Sequence, residues 1–232
     1  MMYFDPGLLF IGFIFMGIGY YVQNKLKSKF HKYSQVSLRK NLSGREIAEI
    51  MLRDHDIYDV KVVSVPGKLT DHYNPIDRTI NLSPDVYQGK HIAAAAVAAH
   101  ECGHALQHAN AYRWLHIRSQ MVPIANYSNK MMSMIFILGI FGVTFLKIIS
   151  FYQLIMLFII LQAIVTIFTI ITLPVEFDAS RRALIWLKSS GITDDKELNY
   201  VNDALKWAAS TYLVAALAAT TYLLYYISIL KD

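Results

Sequence analysis

The stretch from Ile148 to Leu173, IISFYQLIMLFIILQAIVTIFTIITL, decides the fold class. Its strongly polar members are only Gln153 and Gln162. A helix that spans a bilayer needs about 20 mainly apolar residues, so this stretch predicts a transmembrane helix. Further spans are predicted in three other apolar stretches, at about Leu8 to Val22, Met131 to Leu146 and Thr211 to Leu230.

The composition of the 232-residue chain agrees with a membrane protein. Hydrophobic residues make up 55% and charged residues 17%, whereas about 25% of the residues of a soluble domain are charged. The mean hydropathy is +0.34. The predicted fold class is a mostly α membrane protein with four transmembrane helices and a small α+β domain. Asp5 precedes the first apolar stretch and no small-residue cleavage site follows it, which favours an uncleaved anchor over a signal peptide.

The positions of the cations are more informative than the net charge of +5. Seven cations and no acid lie between the first apolar stretch and Glu46; they are Lys25, Lys27, Lys29, Lys32, Arg39, Lys40 and Arg45. Such a segment is typical of the cytoplasmic side of a membrane, where it faces anionic lipid. A nucleic-acid patch is the rival interpretation, and we expect no nucleic-acid partner. The single cysteine excludes an internal disulfide, which fits a reducing compartment.

The segment after these cations contains signals for short helices and strands. Ser43-Gly-Arg-Glu46 forms a capping box that predicts the start of an amphipathic helix. The alternating stretches Val60–Val65 and Arg78–Leu82 predict two strands. Ser83-Pro84 predicts another helix start. The alanine-rich stretch from His91 to about Ala109 predicts a long helix.

This long helix carries His100-Glu101-Cys102-Gly103-His104. Residues four positions apart lie on one face of a helix, so both imidazoles can bind one zinc ion. Glu101, next to the first ligand, can take a proton from an attacking water and pass it to a leaving amine. The alternative is a helix that carries two histidines by chance. Cys102 points away from the histidines by helical spacing, which favours packing over metal binding.

A catalytic zinc needs a third protein ligand. We predict that a helix restarts after Pro174 and that Glu176, about three residues past the membrane boundary, supplies this ligand. Ordinary interfacial charges are the alternative interpretation of Glu176. The other histidines compete weakly, although His108 lies on roughly the same helix face as His100.

Substrate contacts and oxyanion donors are less defined by the sequence. The strand Arg78–Leu82 precedes the metal-binding helix and could pair with a substrate backbone as an edge strand. The stretch from Thr70 to Pro75 could line the cleft or form a plain loop. The candidate oxyanion donors are His72, Tyr73, Arg181 and Arg182.

Three blocks of sequence together resemble one family. They are Leu69-Thr-Asp-His-Tyr-Asn-Pro75, Ala98-Ala-His-Glu-Cys-Gly-His-Ala105 and Thr172-Leu-Pro-Val-Glu-Phe-Asp-Ala-Ser-Arg-Arg-Ala183. They are similar to the YugP-like neutral zinc metallopeptidases of bacterial membranes, and the similarity runs through nearly the whole chain.

The resemblance implies a gluzincin-like domain in a bacterial plasma membrane. It implies one zinc ion held by His100, His104 and Glu176, with Glu101 as general base. Related membrane gluzincins often carry an aspartate four residues after the ligand glutamate, where it supports a ligand histidine. Ser180 occupies that position here, so we expect the supporting contacts to differ and to involve Asp178.

These interpretations predict a membrane zinc metalloendopeptidase that cleaves proteins or peptides at the cytoplasmic membrane surface. A catalytically silent metal-binding scaffold or regulator is the alternative, and a transporter is disfavoured because the spans hold few ionisable groups. The predicted segments are a first transmembrane helix (1–23), a cytoplasmic metallopeptidase domain (24–130), a transmembrane hairpin (131–173), a cytoplasmic segment with the third ligand (174–210) and a fourth transmembrane helix (211–232).

Overall fold

A computed structural model describes residues 6–141 and 150–231. The protein is mostly helical, with one small sheet. The elements are α1 (Pro6–Ser34), α2 (Gly44–Asp54), β1 (Lys61–Ser64), β2 (His72–Asn74), β3 (Thr79–Leu82), α3 (Pro84–Tyr87), α4 (Ile92–Ala109), α5 (Arg113–Phe141), α6 (Phe151–Ser189) and α7 (Asp195–Lys231).

Two compact units can be distinguished in the chain. The apolar unit comprises Met1–Tyr21, Ile117–Leu173 and Thr211–Asp232, and the polar unit comprises Val22–His116 and Pro174–Ser210.

Three helices of the described residues are long and apolar enough to cross a membrane. They lie at Pro6–Ser34, Tyr152–Ser189 and Asp195–Leu230, where the first, third and fourth spans were predicted. The second predicted span, Met131–Leu146, begins within α5 and ends among residues 142–149, which lie outside the described residues. The count of four spans stays a prediction.

Within the apolar unit, hydrogen bonds join α6 to α7. The side chains of Gln162 and Thr166 both donate to the backbone carbonyl of Ala219, each at 3.0 Å. Both side chains are buried. Such a bond between membrane helices stabilises their association by about 0.6 kcal/mol.

Helix α6 continues through Pro174 without a break. The prediction that a helix restarts after this proline was therefore wrong. Proline removes one backbone hydrogen bond, but the residues that follow it, Val175, Glu176 and Ala179, are buried in the polar unit. Packing on both sides of the proline holds the helix together.

The core of the polar unit is formed around α4. Helix α2 packs on it through its apolar face, where Ile47 and Met51 are fully buried. Burial of a side chain of this size contributes about 1.5–3 kcal/mol. Alanines occupy much of α4 and are buried nearly throughout, so neighbouring elements approach its backbone closely.

Both predicted strands are confirmed, and a third was missed. The sheet order is β1-β3-β2, with β1 parallel and β2 antiparallel to β3. The strand expected at the edge, Arg78–Leu82, corresponds to β3 and is central, so that expectation was wrong. The edge strand β2 arises from the stretch Thr70–Pro75. Ser83 precedes α3, but its hydroxyl donates to Asp71 at 3.0 Å instead of capping the helix.

The predicted capping box is confirmed at the start of α2. The Ser43 hydroxyl accepts from the backbone N–H of Glu46 at 3.3 Å, and the Glu46 carboxylate accepts from the backbone N–H of Ser43 at 2.8 Å. These hydrogen bonds with Ser43 hold the pKa of Glu46 below its ordinary value.

Replacing Ser43 by alanine should lower the free energy of unfolding by about 1 kcal/mol, because the first turn of α2 loses its side-chain acceptor. Thermal unfolding of the detergent-solubilised protein measures the change. Ser133→Ala is the matched control, since the exposed Ser133 hydroxyl only donates to Asn129 of its own helix. Equal melting temperatures for the two variants would contradict the capping role.

Candidate metal centre

Two imidazoles project from one face of α4. His100 and His104 are four residues apart, and their ring centroids lie 4.8 Å from each other with the planes nearly perpendicular. His104 is buried and His100 is partly exposed. The pair therefore has one protected member and one member open to solvent.

Glu176 of α6 faces both rings. Its Oε2 atom lies 3.3 Å from Nε2 of His100 and 3.7 Å from Nε2 of His104. The carboxylate is almost fully buried, with 2% of the residue exposed. One candidate ligand atom from each of the three residues lies within 4.8 Å of the other two, and no other such group occurs among residues 6–141 and 150–231. The structure thus brings together the three predicted zinc ligands.

Gly103 explains how α6 comes so close to α4. A Cβ atom on this residue would lie 2.5 Å from the backbone oxygen of Ala179, a distance shorter than any van der Waals contact. The absence of a side chain at position 103 lets the two backbones meet. Glu176 lies less than one turn before Ala179, so the same contact sets its height opposite the histidines.

The charge distribution at the centre favours a cation. Burial by itself would lower the pKa of His104, but the nearby carboxylate of Glu176 and the negative charge of Glu101 outweigh it, and the pKa is raised. A buried carboxylate that faces two imidazoles attracts positive charge, carried either by a proton on the ring or by a metal ion.

Glu101 follows the first histidine and points towards β2. Its Oε2 atom accepts a hydrogen bond of 2.8 Å from the backbone N–H of Tyr73, and the residue is buried. The edge strand therefore lies directly over the predicted general base. Tyr73 also reaches down the helix, where its hydroxyl lies 2.7 Å from Nδ1 of His108. Burial raises the pKa of this phenol.

Each histidine has a hydrogen-bonding partner at its other ring nitrogen. The hydroxyl of Ser180 lies 3.1 Å from Nδ1 of His100. The Oε1 atom of Gln107 lies 3.0 Å from Nδ1 of His104. Ser180 occupies the position at which related membrane gluzincins often carry an aspartate. The serine hydroxyl itself contacts the histidine, although this contact was expected to involve another residue. Gln107 was missed, although it follows His104 by three residues and therefore shares its helix face.

The remaining predicted site residues do not contact the candidate ligand atoms of His100, His104 and Glu176. Asp178 accepts hydrogen bonds from Arg181 at 2.8 Å and from Arg182 at 2.5 Å, and both arginines are thereby engaged away from the ligand atoms. His72 is exposed, and its ring contacts the backbone oxygen of Thr70 at 2.7 Å. Of the four oxyanion candidates, Tyr73 is the one that contacts Glu101.

Two residues on α4 have structural roles. His91 caps the helix, because its Nδ1 atom accepts from the backbone N–H of Ala94 at 3.0 Å. Cys102 lies on the opposite side from the metal ligands, packed beside Ala48 of α2. Its thiol is fully buried and burial raises its pKa, which agrees with a packing residue.

Comparison with known proteins assigns the family. Residues 8–231 match the model of a family described as "Putative neutral zinc metallopeptidase". The chain is 39% identical over 221 residues to a Bacillus subtilis (strain 168) protein named "Putative membrane protease YugP", and the match covers 95% of each chain. No solved structure matches. The chain belongs to this zinc metallopeptidase family, which confirms the resemblance and supports a zinc site and a membrane setting.

Replacing Gly103 by alanine should push α6 away from α4 and carry Glu176 away from the histidines. Overpacking of this kind costs about 1–3 kcal/mol, so both the melting temperature and the affinity for zinc should fall. Competition with a chromogenic chelator measures the affinity. Gly17→Ala is the control, because a Cβ atom there meets nothing within 4 Å. Unchanged zinc affinity in Gly103→Ala would show that the close contact does not position Glu176.

Proposed function

We propose that this member of the family is a zinc metalloendopeptidase that hydrolyses peptide bonds of proteins or peptides at the cytoplasmic surface of the membrane. The observation that carries the proposal is the convergence of His100, His104 and Glu176 beside the carboxylate of Glu101. A buried carboxylate that faces two imidazoles is stabilised by positive charge, and a metal ion bound by all three residues supplies it.

The residues present fit one zinc ion per chain. Two imidazoles and one carboxylate are the donor set of many catalytic zinc sites, which keep a fourth position open for water or substrate. The Nε2 atoms of both histidines face Glu176, while their Nδ1 atoms have partners of their own. When bound, zinc supplies Lewis acidity that polarises a scissile carbonyl and makes a coordinated water more acidic.

Glu101 carries the proton transfers in this proposal. Its carboxylate takes a proton from the attacking water and later gives it to the amine that leaves. Before substrate binds, the N–H of Tyr73 holds Glu101 in place, and the burial of Glu101 strengthens the interaction of its carboxylate with the reacting groups. The reaction needs no nucleophilic side chain, in agreement with a buried and unreactive Cys102.

The edge strand β2 is suited to bind the substrate. Its inner side pairs with β3, from His72 opposite Asn81 to Asn74 opposite Thr79. Its outer side turns the backbone N–H of Tyr73 towards Glu101. An extended peptide that pairs with this outer side would take over the N–H of Tyr73 and free Glu101 for catalysis.

The strand is fixed at both ends, as a substrate template requires. Asp71 accepts from the backbone N–H of Ser83 at 2.7 Å just before β2. Asn74 accepts from the backbone N–H groups of Ile76 and Asp77 just after it. These contacts explain two polar residues of the first family block by local geometry.

Glu101→Gln should lower peptidase activity by about 100- to 10,000-fold, because the amide cannot accept the proton. The zinc content should stay at the wild-type value, since Glu101 is not a ligand. The assay is release of fluorescence from labelled casein by the protein in nanodiscs, with zinc measured by atomic emission.

Glu49→Gln is the matched control, as Glu49 pairs with Arg45 on the exposed side of α2. A Glu101→Gln protein that cleaves at the wild-type rate would remove the general-base role. A wild-type protein that binds zinc but cleaves neither casein nor any protein in a comparison of membrane proteomes would favour the scaffold function.

The proposed location is a bacterial plasma membrane, crossed several times, with the metal centre on the cytoplasmic side. The seven cations after the first apolar stretch support this orientation. All of them, together with α2, the sheet and α4, belong to the polar unit.

A cysteine placed at Ile76, which is 90% exposed in the β2–β3 turn, should react with a membrane-impermeant maleimide in inverted vesicles only. A cysteine placed at Lys231, beyond the fourth predicted span, should react in right-side-out vesicles only. The buried Cys102 gives a low background. Labelling of the Ile76→Cys variant in right-side-out vesicles would reverse the proposed orientation.

A further inference from the structure

Gln107 makes three hydrogen bonds in the buried part of α4. The residue has no exposed surface. Its Nε2 atom donates to the backbone oxygen of Val175 at 2.8 Å and to Oδ2 of Asp178 at 3.0 Å, and its Oε1 atom lies 3.0 Å from Nδ1 of His104. Each of these contacts joins the buried amide to α4, which carries the two histidines, or to α6. The hydrogen bonds therefore hold the Gln107 side chain in one orientation.

The chemistry of the partners fixes the orientation of the Gln107 amide. A backbone carbonyl and a carboxylate can only accept hydrogen bonds, so the atom that faces Val175 and Asp178 is the NH₂ group. The carbonyl of the amide then has to face His104. Because this carbonyl only accepts, Nδ1 of His104 has to carry a proton.

A proton on Nδ1 leaves the lone pair of a neutral imidazole on Nε2. Nε2 is the atom of His104 that faces Glu176, at 3.7 Å. The hydrogen bonds of Gln107 therefore select the tautomer in which His104 can bind a metal ion through the correct nitrogen.

From this geometry we propose that Gln107 is a positioning residue that holds His104 ready for zinc, and that Asp178 orients Gln107. The inference rests on the zinc site proposed above and adds a chain of contacts that runs from His104 through Gln107 to Asp178. Arg182 donates to the same Asp178 oxygen as Gln107, and Arg181 donates to the other oxygen, so both arginines neutralise this carboxylate. Ser180 contacts His100 directly, so the two ligands are supported in different ways.

Gln107→Met keeps the length of the side chain and removes all three hydrogen bonds. Loss of an outer partner of a ligand histidine weakens metal binding by about 10- to 100-fold. We expect this fall in affinity for Co²⁺, titrated into the metal-free full-length protein in nanodiscs. The d–d absorption of bound Co²⁺ should also change, because the coordination geometry of His104 is no longer fixed.

Gln162→Met is the control, since it removes another buried glutamine, which donates to Ala219 far along the chain from the metal ligands. It should leave the Co²⁺ affinity and spectrum as in the wild type. Thermal unfolding of both metal-free variants separates loss of stability from loss of ligand positioning. Asp178→Asn should give a smaller fall than Gln107→Met, because Val175 still holds the amide of Gln107.

If the Gln107→Met variant has the Co²⁺ affinity and spectrum of the wild type, the inference is overturned. If the Asp178→Asn variant has them, Asp178 has no part in positioning Gln107. The titration contains no substrate, so it is independent of peptidase activity. A wild-type protein that binds Co²⁺ but cleaves neither casein nor any protein in the membrane-proteome comparison, beside a weakened Gln107→Met variant, supports the inference and contradicts the peptidase. A wild-type protein that binds no Co²⁺ overturns both.

Discussion

The proposed metal centre depends on the contact between the backbones of α4 and α6 at Gly103 and Ala179. Every ligand and supporting contact lies within two turns of this point. On α4, Gly103 lies between His100 and Gln107, with His104 next to it, and these positions share one face of the helix. Around the circumference of α6, Ala179 separates two pairs of residues. Glu176 and Ser180 lie to one side of it, and Val175 and Asp178 lie to the other. A shift of either helix by one residue would break all of these contacts together.

Two strips of the α6 surface make different contacts, one with the histidines and one with Gln107. Glu176 and Ser180 are four residues apart and reach the histidines directly. Val175 and Asp178 are three residues apart and both bind the amide of Gln107. A single segment of six residues, Val175 to Ser180, therefore carries the proposed third ligand, contacts one histidine directly and contacts the other through Gln107. This concentration requires an unbroken helix, and α6 does continue through Pro174.

The sequence was informative where chemistry depends on local spacing. His100 and His104 follow the i, i+4 rule, the Ser43–Glu46 capping box is a four-residue pattern, and the strands at Val60–Val65 and Arg78–Leu82 alternate over enough residues to be recognised. Glu176 was identified as a candidate because it lies just past the end of a predicted span, on the same predicted side of the membrane as the histidines. These inferences use spacing along the chain or the order of the predicted spans.

The sequence failed where the role of a residue depends on a distant partner. The strand β2 has three residues, too few to show a period, and it forms because it pairs with β3 while Glu101 accepts the N–H of Tyr73. Pro174 normally favours a helix boundary, and burial of the residues after it overrides that preference. Gln107 looks like one polar residue near the end of an alanine-rich helix, since its function comes from Val175 and Asp178, which lie some 70 residues further along.

Ser180 illustrates why a substituted position need not lose its function. An aspartate there would accept a hydrogen bond from His100 and add a negative charge beside the proposed ligands, whereas the serine hydroxyl can accept the same hydrogen bond without the charge. Glu176 and Glu101 already place two carboxylates at this centre, and a third would have to be neutralised. Two cations of the same helix, Arg181 and Arg182, are bound to Asp178. A neutral hydroxyl at position 180 and a neutral amide at position 107 therefore fix both histidines while the one further carboxylate, Asp178, stays paired with arginine outside the ligand shell.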